Sequence, residues 1–179
     1  IHPQPHYPFS FLQGDALEFV DRYGQEFDVI HASPPCQFGS ECTPMAYRSR
    51  HPNLIPATRE RLLATGKPFV IENVENVRRH LRQPIRLCGT MFGLNLWRHR
   101  YFEIHPFLDA TLLLTPCCHI GRPVLLSGSS HHNGCYRDAS VAEKRQASEC
   151  HWMMTRELDQ AIPPVYTEWI GGQLLEALR

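Results

Sequence analysis

The sequence predicts an α/β fold in which a parallel sheet is flanked by helices. Short apolar segments typical of strands alternate with segments whose apolar residues recur at helical spacing, and glycine or proline separates many of them. This alternation is typical of strands joined by helical crossovers. Polar residues follow three of the strand-like segments. Because ligands bind at the carboxyl ends of parallel strands, we expect a binding site at that edge.

The individual elements follow from periodicity and from the residues that end helices or strands. Candidate strands, in chain order, are residues 9–13, 27–32, 69–72, 85–88 and 101–104. Candidate helices are residues 16–24, 56–65, 74–81 and 140–160, and a last one follows Pro163. Pro56 at a first turn and Gly66 past the end mark the second helix. Residues 36–55 have no clear period and predict a long functional loop.

The composition is that of a globular protein. Of 179 residues, 42% are hydrophobic and 20% are charged, and the formal net charge is zero. No apolar stretch is long enough to span a membrane, so no membrane partner is expected. The seven cysteines are odd in number and irregularly spaced, which favours free thiols and a cytoplasmic protein. The chain lacks an initiator methionine, so we expect a missing N-terminal segment.

Positive charge is concentrated in one part of the chain. Between Glu75 and Glu103 there is no acidic residue, whereas six of the 18 basic residues lie there: Arg78, Arg79, Arg82, Arg86, Arg98 and Arg100. Such a run is typical either of a solvated basic surface or of a region that contacts nucleic-acid phosphates. The charge alone does not distinguish the two.

Three positions bear reactive or binding groups, and each also has a structural interpretation. Cys36 follows a predicted strand and two prolines; cationic surroundings would make its thiol a nucleophile, and otherwise it is a small buried apolar residue. Glu72 ends an apolar strand, where it faces ligands or caps the next helix. Arg98 and Arg100 would point the same way from one strand, to hold a phosphate or a base carbonyl, or to face solvent.

The order of these motifs is more specific than any one of them. The segments 28–37 (DVIHASPPCQ), 71–74 (IENV) and 98–100 (RHR) together resemble the DNA cytosine-5 methyltransferases, in a short form similar to bacteriophage members. The resemblance implies a Rossmann-like, S-adenosyl-L-methionine-dependent methyltransferase fold that is incomplete at its N-terminus. It divides the chain into a partial catalytic core (1–104), a small irregular target-recognition insert (105–150) and a C-terminal motif with its helix (151–179).

The resemblance also implies the catalytic roles. Cys36 would add covalently to C6 of a cytosine, which makes C5 nucleophilic towards the methyl group of the cofactor. Glu72 would bind N3 of the base, and Arg100 would hold its O2 carbonyl as charge develops on the ring. Arg98 would support the loop or a phosphate.

A cofactor and a nucleic acid are the implied partners. The resemblance assigns S-adenosyl-L-methionine to Asp15, Ala16, Pro34 and Ile162. Double-stranded DNA, with the target base swung out of the helix, would contact Gln37, Ser40, Arg48, Arg50 and Asn73. The family's glycine-rich cofactor motif would precede Ile1, which again predicts a missing N-terminal segment. A bacterial or phage-infected cell is the expected setting.

The target-recognition insert is rich in potential metal ligands. It contains Cys117, Cys118, His119, His131, His132 and Cys135, which are residue types that zinc prefers. The usual paired-cysteine spacing is missing, and adjacent cysteines suit one tetrahedron poorly. We therefore predict an irregular recognition loop and no metal.

Two other functions remain open at this point. Because cofactor motifs are missing, the chain could be an inactive relative or fragment that binds DNA without turnover. The same chemistry could also act on cytosine in RNA. The recognition sequence, the oligomeric state and the biological role do not follow from the sequence.

Overall fold

The computed structural model describes residues 6–40, 43–109, 111–126 and 139–178. The chain forms two compact units. We call Gly14–Arg86 with Arg100–Asp109 the sheet unit, and Ile1–Gln13 with Leu87–His99 and Ala110–Arg179 the helical unit. The predicted division at residues 104 and 150 is a functional one and stays a prediction. Within the described residues, we find no helix with the length and apolar character needed to cross a bilayer.

The sheet unit contains the elements that carry the predicted catalytic loop. In chain order they are α1 (Ala16–Tyr23), β1 (Ile30–Ala32), α2 (Met45–Arg48), α3 (Ile55–Thr65), β2 (Phe69–Asn73), β3 (Ile85–Leu87) and β4 (Arg100–His105). Short 3-10 helices lie at Gly24–Glu26 and Glu75–His80. The strands form one sheet in the order β1-β2-β4-β3.

The sheet is mixed. β1 pairs with β2 in parallel, with Ala32 opposite Ile71, but β2 pairs with β4 in the antiparallel sense, with Ile71 opposite Glu103. The predicted α/β class is confirmed, whereas the all-parallel sheet is wrong. All five residues of β2 are buried, so the strand does not alternate between apolar and polar residues in the way that is typical of antiparallel sheets. The pattern therefore could not reveal the direction of β4.

Most predicted elements occur close to their predicted positions, with three exceptions. The aromatic run at 9–13 is not a strand; these residues have no regular structure, and Phe9 is 70% exposed. The helix predicted over 74–81 is a 3-10 helix. The helical stretch predicted over 140–160 is two short helices, α4 (Val141–Ser148) and α5 (Thr155–Leu158). Glu149 interrupts it with a left-handed backbone, φ +60°.

The helical unit has its own small core. It contains α4, α5 and α6 (Pro164–Ala177), and α4 begins at a capping box between Ser140 and Glu143. A cluster of buried apolar residues joins the ends of these helices to the irregular segments: Leu96, Val124, Leu126, Cys150, Leu158 and Ala161. Much of the chain around this core has no regular secondary structure.

The core of the sheet unit lies between the sheet and its helices. Ile55 and Leu62 of α3 pack with Phe69 and Ile71 of β2, and all four are nearly or completely buried. A buried ion pair adds to this face. Both guanidinium nitrogens Nε and Nη2 of Arg59 lie 2.6 Å from the two carboxylate oxygens of Glu103.

This ion pair makes further hydrogen bonds to the backbone. The guanidinium of Arg59 also donates to the carbonyl of His80 at 2.6 Å, and the backbone N–H of Arg82 donates to Glu103 at 2.8 Å. A buried charge that loses its partner is costly, whereas a satisfied pair is tolerated. The pair therefore fixes the segment around residues 80–82 against α3 and β4.

Arg59→Met should destabilise the protein by about 3–5 kcal/mol, because it leaves the Glu103 carboxylate buried without its cation. The matched control is Arg61→Met on the same helix. Arg61 pairs with Asp21 at an exposed site, so its loss should cost less than about 1 kcal/mol. Urea unfolding of both variants measures the difference, and equal losses would contradict this role for Arg59.

Candidate functional site

The carboxyl ends of β1 and β2 lie at the same edge of the sheet. The two strands are parallel, and Ala32, the last residue of β1, is opposite Ile71. The residues that follow each strand therefore emerge side by side. Those after β1 lead to Cys36, and those at the end of β2 are Glu72 and Asn73. The predicted nucleophile loop and the predicted base-binding acid thus belong to one edge of one unit.

A hydrogen bond joins the two strand ends. The Asn73 side chain donates from Nδ2 to the carbonyl of Pro34 at 2.9 Å, and its Oδ1 accepts from the backbone N–H of Val74 at 2.9 Å. Asn73 is only 2% exposed. Both halves of the amide are used in a buried place, so this side chain holds the Pro-Pro-Cys loop beside β2.

The loop around Cys36 is folded into a turn. The carbonyl of Cys36 accepts from the backbone N–H groups of Gly39 and Ser40 at 3.0 and 2.9 Å. Phe38 packs against the core of the sheet unit. Gly39 approaches Val77 so closely that a Cβ would lie 2.5 Å from its Cγ1. The turn therefore fixes the backbone of Cys36, whose side chain is half-buried.

Glu72 and Arg100 form a buried ion pair at the same end of β2. The antiparallel register puts Glu72 opposite Phe102, and Arg100 projects from the same side of β4 because side chains alternate along a strand. The Nε of Arg100 lies 2.8 Å from Oε1 of Glu72. The side chains are 12% and 7% exposed, so the acid and the base are largely withdrawn from water.

Most of the described thiols belong to the helical unit. Burial raises the pKa of Cys88 and of Cys150, so neither thiol is a good nucleophile when no cation is bound to it. Both belong to the helical unit, as do Cys117 and Cys118. Of the cysteines that the structure describes, only Cys36 belongs to the sheet unit.

Arg98 does not share a strand with Arg100, and that prediction is wrong. β4 begins at Arg100, and Arg98 belongs to the helical unit. Its Nη2 donates to the carbonyl of Asp159 at 2.6 Å, and its Nε donates to that of Ala161 at 3.1 Å. These contacts satisfy the backbone carbonyls that precede α6.

The residues assigned to the cofactor are spread over both units. Asp15 is the N-cap of α1, and its Oδ1 accepts from the N–H groups of Leu17 and Glu18 at 2.8 and 3.1 Å. Ala16 is the first residue of that helix. Pro34 offers its carbonyl to Asn73, whereas Ile162 belongs to the helical unit. Their assignment to S-adenosyl-L-methionine stays a prediction.

The residues assigned to DNA differ in exposure. Gln37 is exposed, but Ser40 and Asn73 are buried. In the loop, Nε of Arg48 donates to the carbonyl of Thr43 at 3.0 Å, and the guanidinium of Arg50 lies 4.9 Å from the centre of the Tyr47 ring. The exposed arginines of the basic stretch are Arg78, Arg79, Arg82 and Arg86. All four belong to the sheet unit.

The structure also brings together two residues that the sequence analysis did not single out. Cys88 and His99 lie next to Cys117 and His119 in the helical unit. Cys118, the other predicted ligand in this part of the chain, is exposed and outside the group. The remaining predicted ligands, His131, His132 and Cys135, lie outside the described residues.

Comparisons of this chain with protein-family models, with curated proteins and with solved structures found no match.

Asn73→Ala should release the Cys36 loop, because it removes the donor to Pro34 and leaves that carbonyl without the amide. We expect a loss of about 1–3 kcal/mol in the free energy of unfolding and faster alkylation of Cys36 by iodoacetamide, followed by peptide mass spectrometry. The control is Asn76→Ala, which alters an exposed residue on the adjacent 3-10 helix. Unchanged alkylation of Cys36 in Asn73→Ala would show that the amide does not hold the loop.

Proposed function

We propose that this chain is the catalytic part of a DNA cytosine-5 methyltransferase, in which Cys36 attacks a flipped-out cytosine. The observation that carries the proposal is the bond from Asn73 to Pro34. It fixes the nucleophile loop beside the end of β2, where Glu72 lies next to Asn73 in the chain and pairs with Arg100. A thiol, a carboxyl group and a guanidinium are the groups that covalent activation of a pyrimidine requires.

The chemistry of these side chains follows from the structure of the base. The Cys36 sulfur forms a bond to C6, and the C5–C6 double bond opens as its electron pair moves to C5 and the ring. The thiol proton leaves to solvent. Glu72 takes up a proton from solvent as its pair with Arg100 opens and shares that proton with N3, and Arg100 donates to O2, so charge on the ring is neutralised where it develops. The pair between Glu72 and Arg100 has to open to receive the base edge.

The methyl donor is the part of the reaction that the described residues do not supply. Asp15 uses Oδ1 to cap α1, Pro34 uses its carbonyl to hold Asn73, and Ile162 belongs to the other unit. The proposal for this chain therefore consists of thiol addition and base binding. It includes no step that involves S-adenosyl-L-methionine.

A DNA-binding protein without turnover is the second candidate. One observation favours it. The Glu72 carboxylate already pairs with a buried guanidinium, and this pair would have to open before Glu72 could bind a base. The exposed arginines at positions 78, 79, 82 and 86 would serve either function through phosphate contacts. The two candidates differ in whether Cys36 reacts.

The trap for that reaction is a DNA duplex with 2-pyrimidinone in place of one cytosine and with randomised flanking sequence. This ring accepts a thiolate at C6 and a proton at C5 without a methyl donor, so the outcome does not depend on S-adenosyl-L-methionine. We expect a covalent protein–DNA adduct that resists denaturing electrophoresis, disappears in Cys36→Ser and persists in Cys118→Ser. DNA binding without an adduct would favour the second candidate, and an adduct with the matching RNA alone would favour an RNA substrate.

Glu72→Gln should slow formation of this adduct by about 10²-fold, because an amide cannot supply a proton at N3. Alkylation of Cys36 by iodoacetamide should be unchanged, which separates loss of base activation from damage to the thiol. An adduct that forms at the original rate would remove Glu72 from the mechanism.

A further inference from the structure

Four potential metal ligands converge in the helical unit. The Cys88 and Cys117 sulfurs and one ring nitrogen each from His99 and His119 all lie within 4.8 Å of one another. Both histidines point the same atom, Nε2, into this group, and those two atoms are 3.1 Å apart. The group lies wholly within one unit and contains none of the residues assigned to the reaction of Cys36.

The distances fit a tetrahedral zinc ion. With Zn–S of about 2.3 Å and Zn–N of about 2.05 Å, the edges of a regular tetrahedron are about 3.6 Å for S···N and about 3.3 Å for N···N. His119 Nε2 lies 3.1 Å from the Cys117 sulfur and 3.4 Å from the Cys88 sulfur, and His99 Nε2 lies 3.5 Å from the Cys117 sulfur. An ion at the centre would therefore need only small movements of the side chains.

The backbone explains why these residues meet. Cys88 and His99 flank a compact loop in which Gly89 passes so close to Leu96 that a Cβ would lie 2.3 Å from its carbonyl oxygen. The second pair lies on the segment 111–126, which is joined to that loop by a bond from Val124 N–H to the Asn95 carbonyl at 3.1 Å. Two irregular segments are thus brought together at the cluster.

Neighbouring groups orient the ligands. The hydroxyl of Thr90 lies 3.3 Å from the Cys88 sulfur and 3.8 Å from the Cys117 sulfur, so it can donate to a thiolate. The Thr90 oxygen in turn accepts from the N–H of Cys118 at 3.2 Å. The Trp97 ring stacks on His119 with centroids 4.6 Å apart. Such outer contacts are typical of metal sites, where they fix the direction of each ligand.

We propose that Cys88, His99, Cys117 and His119 bind one zinc ion in a closed, structural site. Two thiolates and two imidazoles in a tetrahedron select zinc among the common divalent metals. Four protein ligands leave no open position for water or substrate, so the ion has a structural role rather than a catalytic one. The metal crosslinks two segments that have little regular secondary structure. The expectation of no metal is thereby replaced, with a ligand set that the sequence spacing did not suggest.

The test is the zinc content of the full chain, purified in its reduced form without chelator and measured by inductively coupled plasma mass spectrometry. We expect about one zinc per chain in the parent protein and in Cys118→Ser, and less than about a tenth as much in Cys117→Ser. His119→Cys should keep the ion, because zinc accepts thiolate in place of imidazole. A triple variant, His131→Ala with His132→Ala and Cys135→Ser, should also keep it.

Cobalt provides a second measurement that does not depend on a variant folding. Replacing zinc in the parent protein by Co²⁺ should give the intense visible bands of tetrahedral cobalt and a thiolate-to-cobalt charge-transfer band in the near ultraviolet. A folded parent protein that holds neither ion would overturn the proposal. A disulfide between Cys88 and Cys117 that persists under reducing conditions would also overturn it. Loss of zinc in the triple variant would assign the site to other ligands.

This outcome is independent of the proposed reaction. Cys36→Ser should bind zinc like the parent protein while losing the DNA adduct, so failure of either idea can be recognised separately.

Discussion

Strands that run in the same direction deliver the residues after them to one edge of a sheet, and the candidate reaction depends on that constraint. The parallel register of β1 and β2 brings the loop of Cys36 beside the end of β2, and Asn73 locks it there through Pro34. Neither the thiol nor the carboxyl group of Glu72 has to be placed by a flexible connection. The backbone places them, and side-chain packing of Phe38 holds the turn.

Among the described residues of the sheet unit there are two buried ion pairs, Arg59–Glu103 and Glu72–Arg100. Their hydrogen bonds and their positions in the sheet suit different roles. The Arg59–Glu103 pair has two short contacts between charges and further bonds to backbone groups, as expected of a structural pair that is costly to break. The pair of Glu72 and Arg100 lies where β2 ends and β4 begins, at the edge that a ligand can approach. In the reaction that we propose, a base that bonds to both groups would replace their contact with each other, so neither charge would be left buried without a partner.

The helical unit has less regular structure than the sheet unit, and the metal site that we propose would add a crosslink to it. Three members of its core cluster, Leu96, Val124 and Leu126, come from the segments 89–96 and 111–126. Small or irregular units often depend on a crosslink such as a metal ion, because burial of apolar surface alone stabilises them too little. The zinc site that we propose would fix the two segments to each other at Cys88 and Cys117.

The sequence by itself predicted most helices and strands, the loop that contains Cys36 and the position of Glu72 near the end of a buried strand, because periodicity and turn residues are local properties. It also suggested Cys117 and His119 as metal ligands. It could not predict that β4 is antiparallel, that Arg98 bonds to backbone carbonyls of the helical unit, or that Asn73 holds Pro34. Nor did it connect Cys88 and His99 with Cys117 and His119. Strand direction, pairing and ligand sets depend on residues far apart in the chain, and only the tertiary structure decides which of them meet.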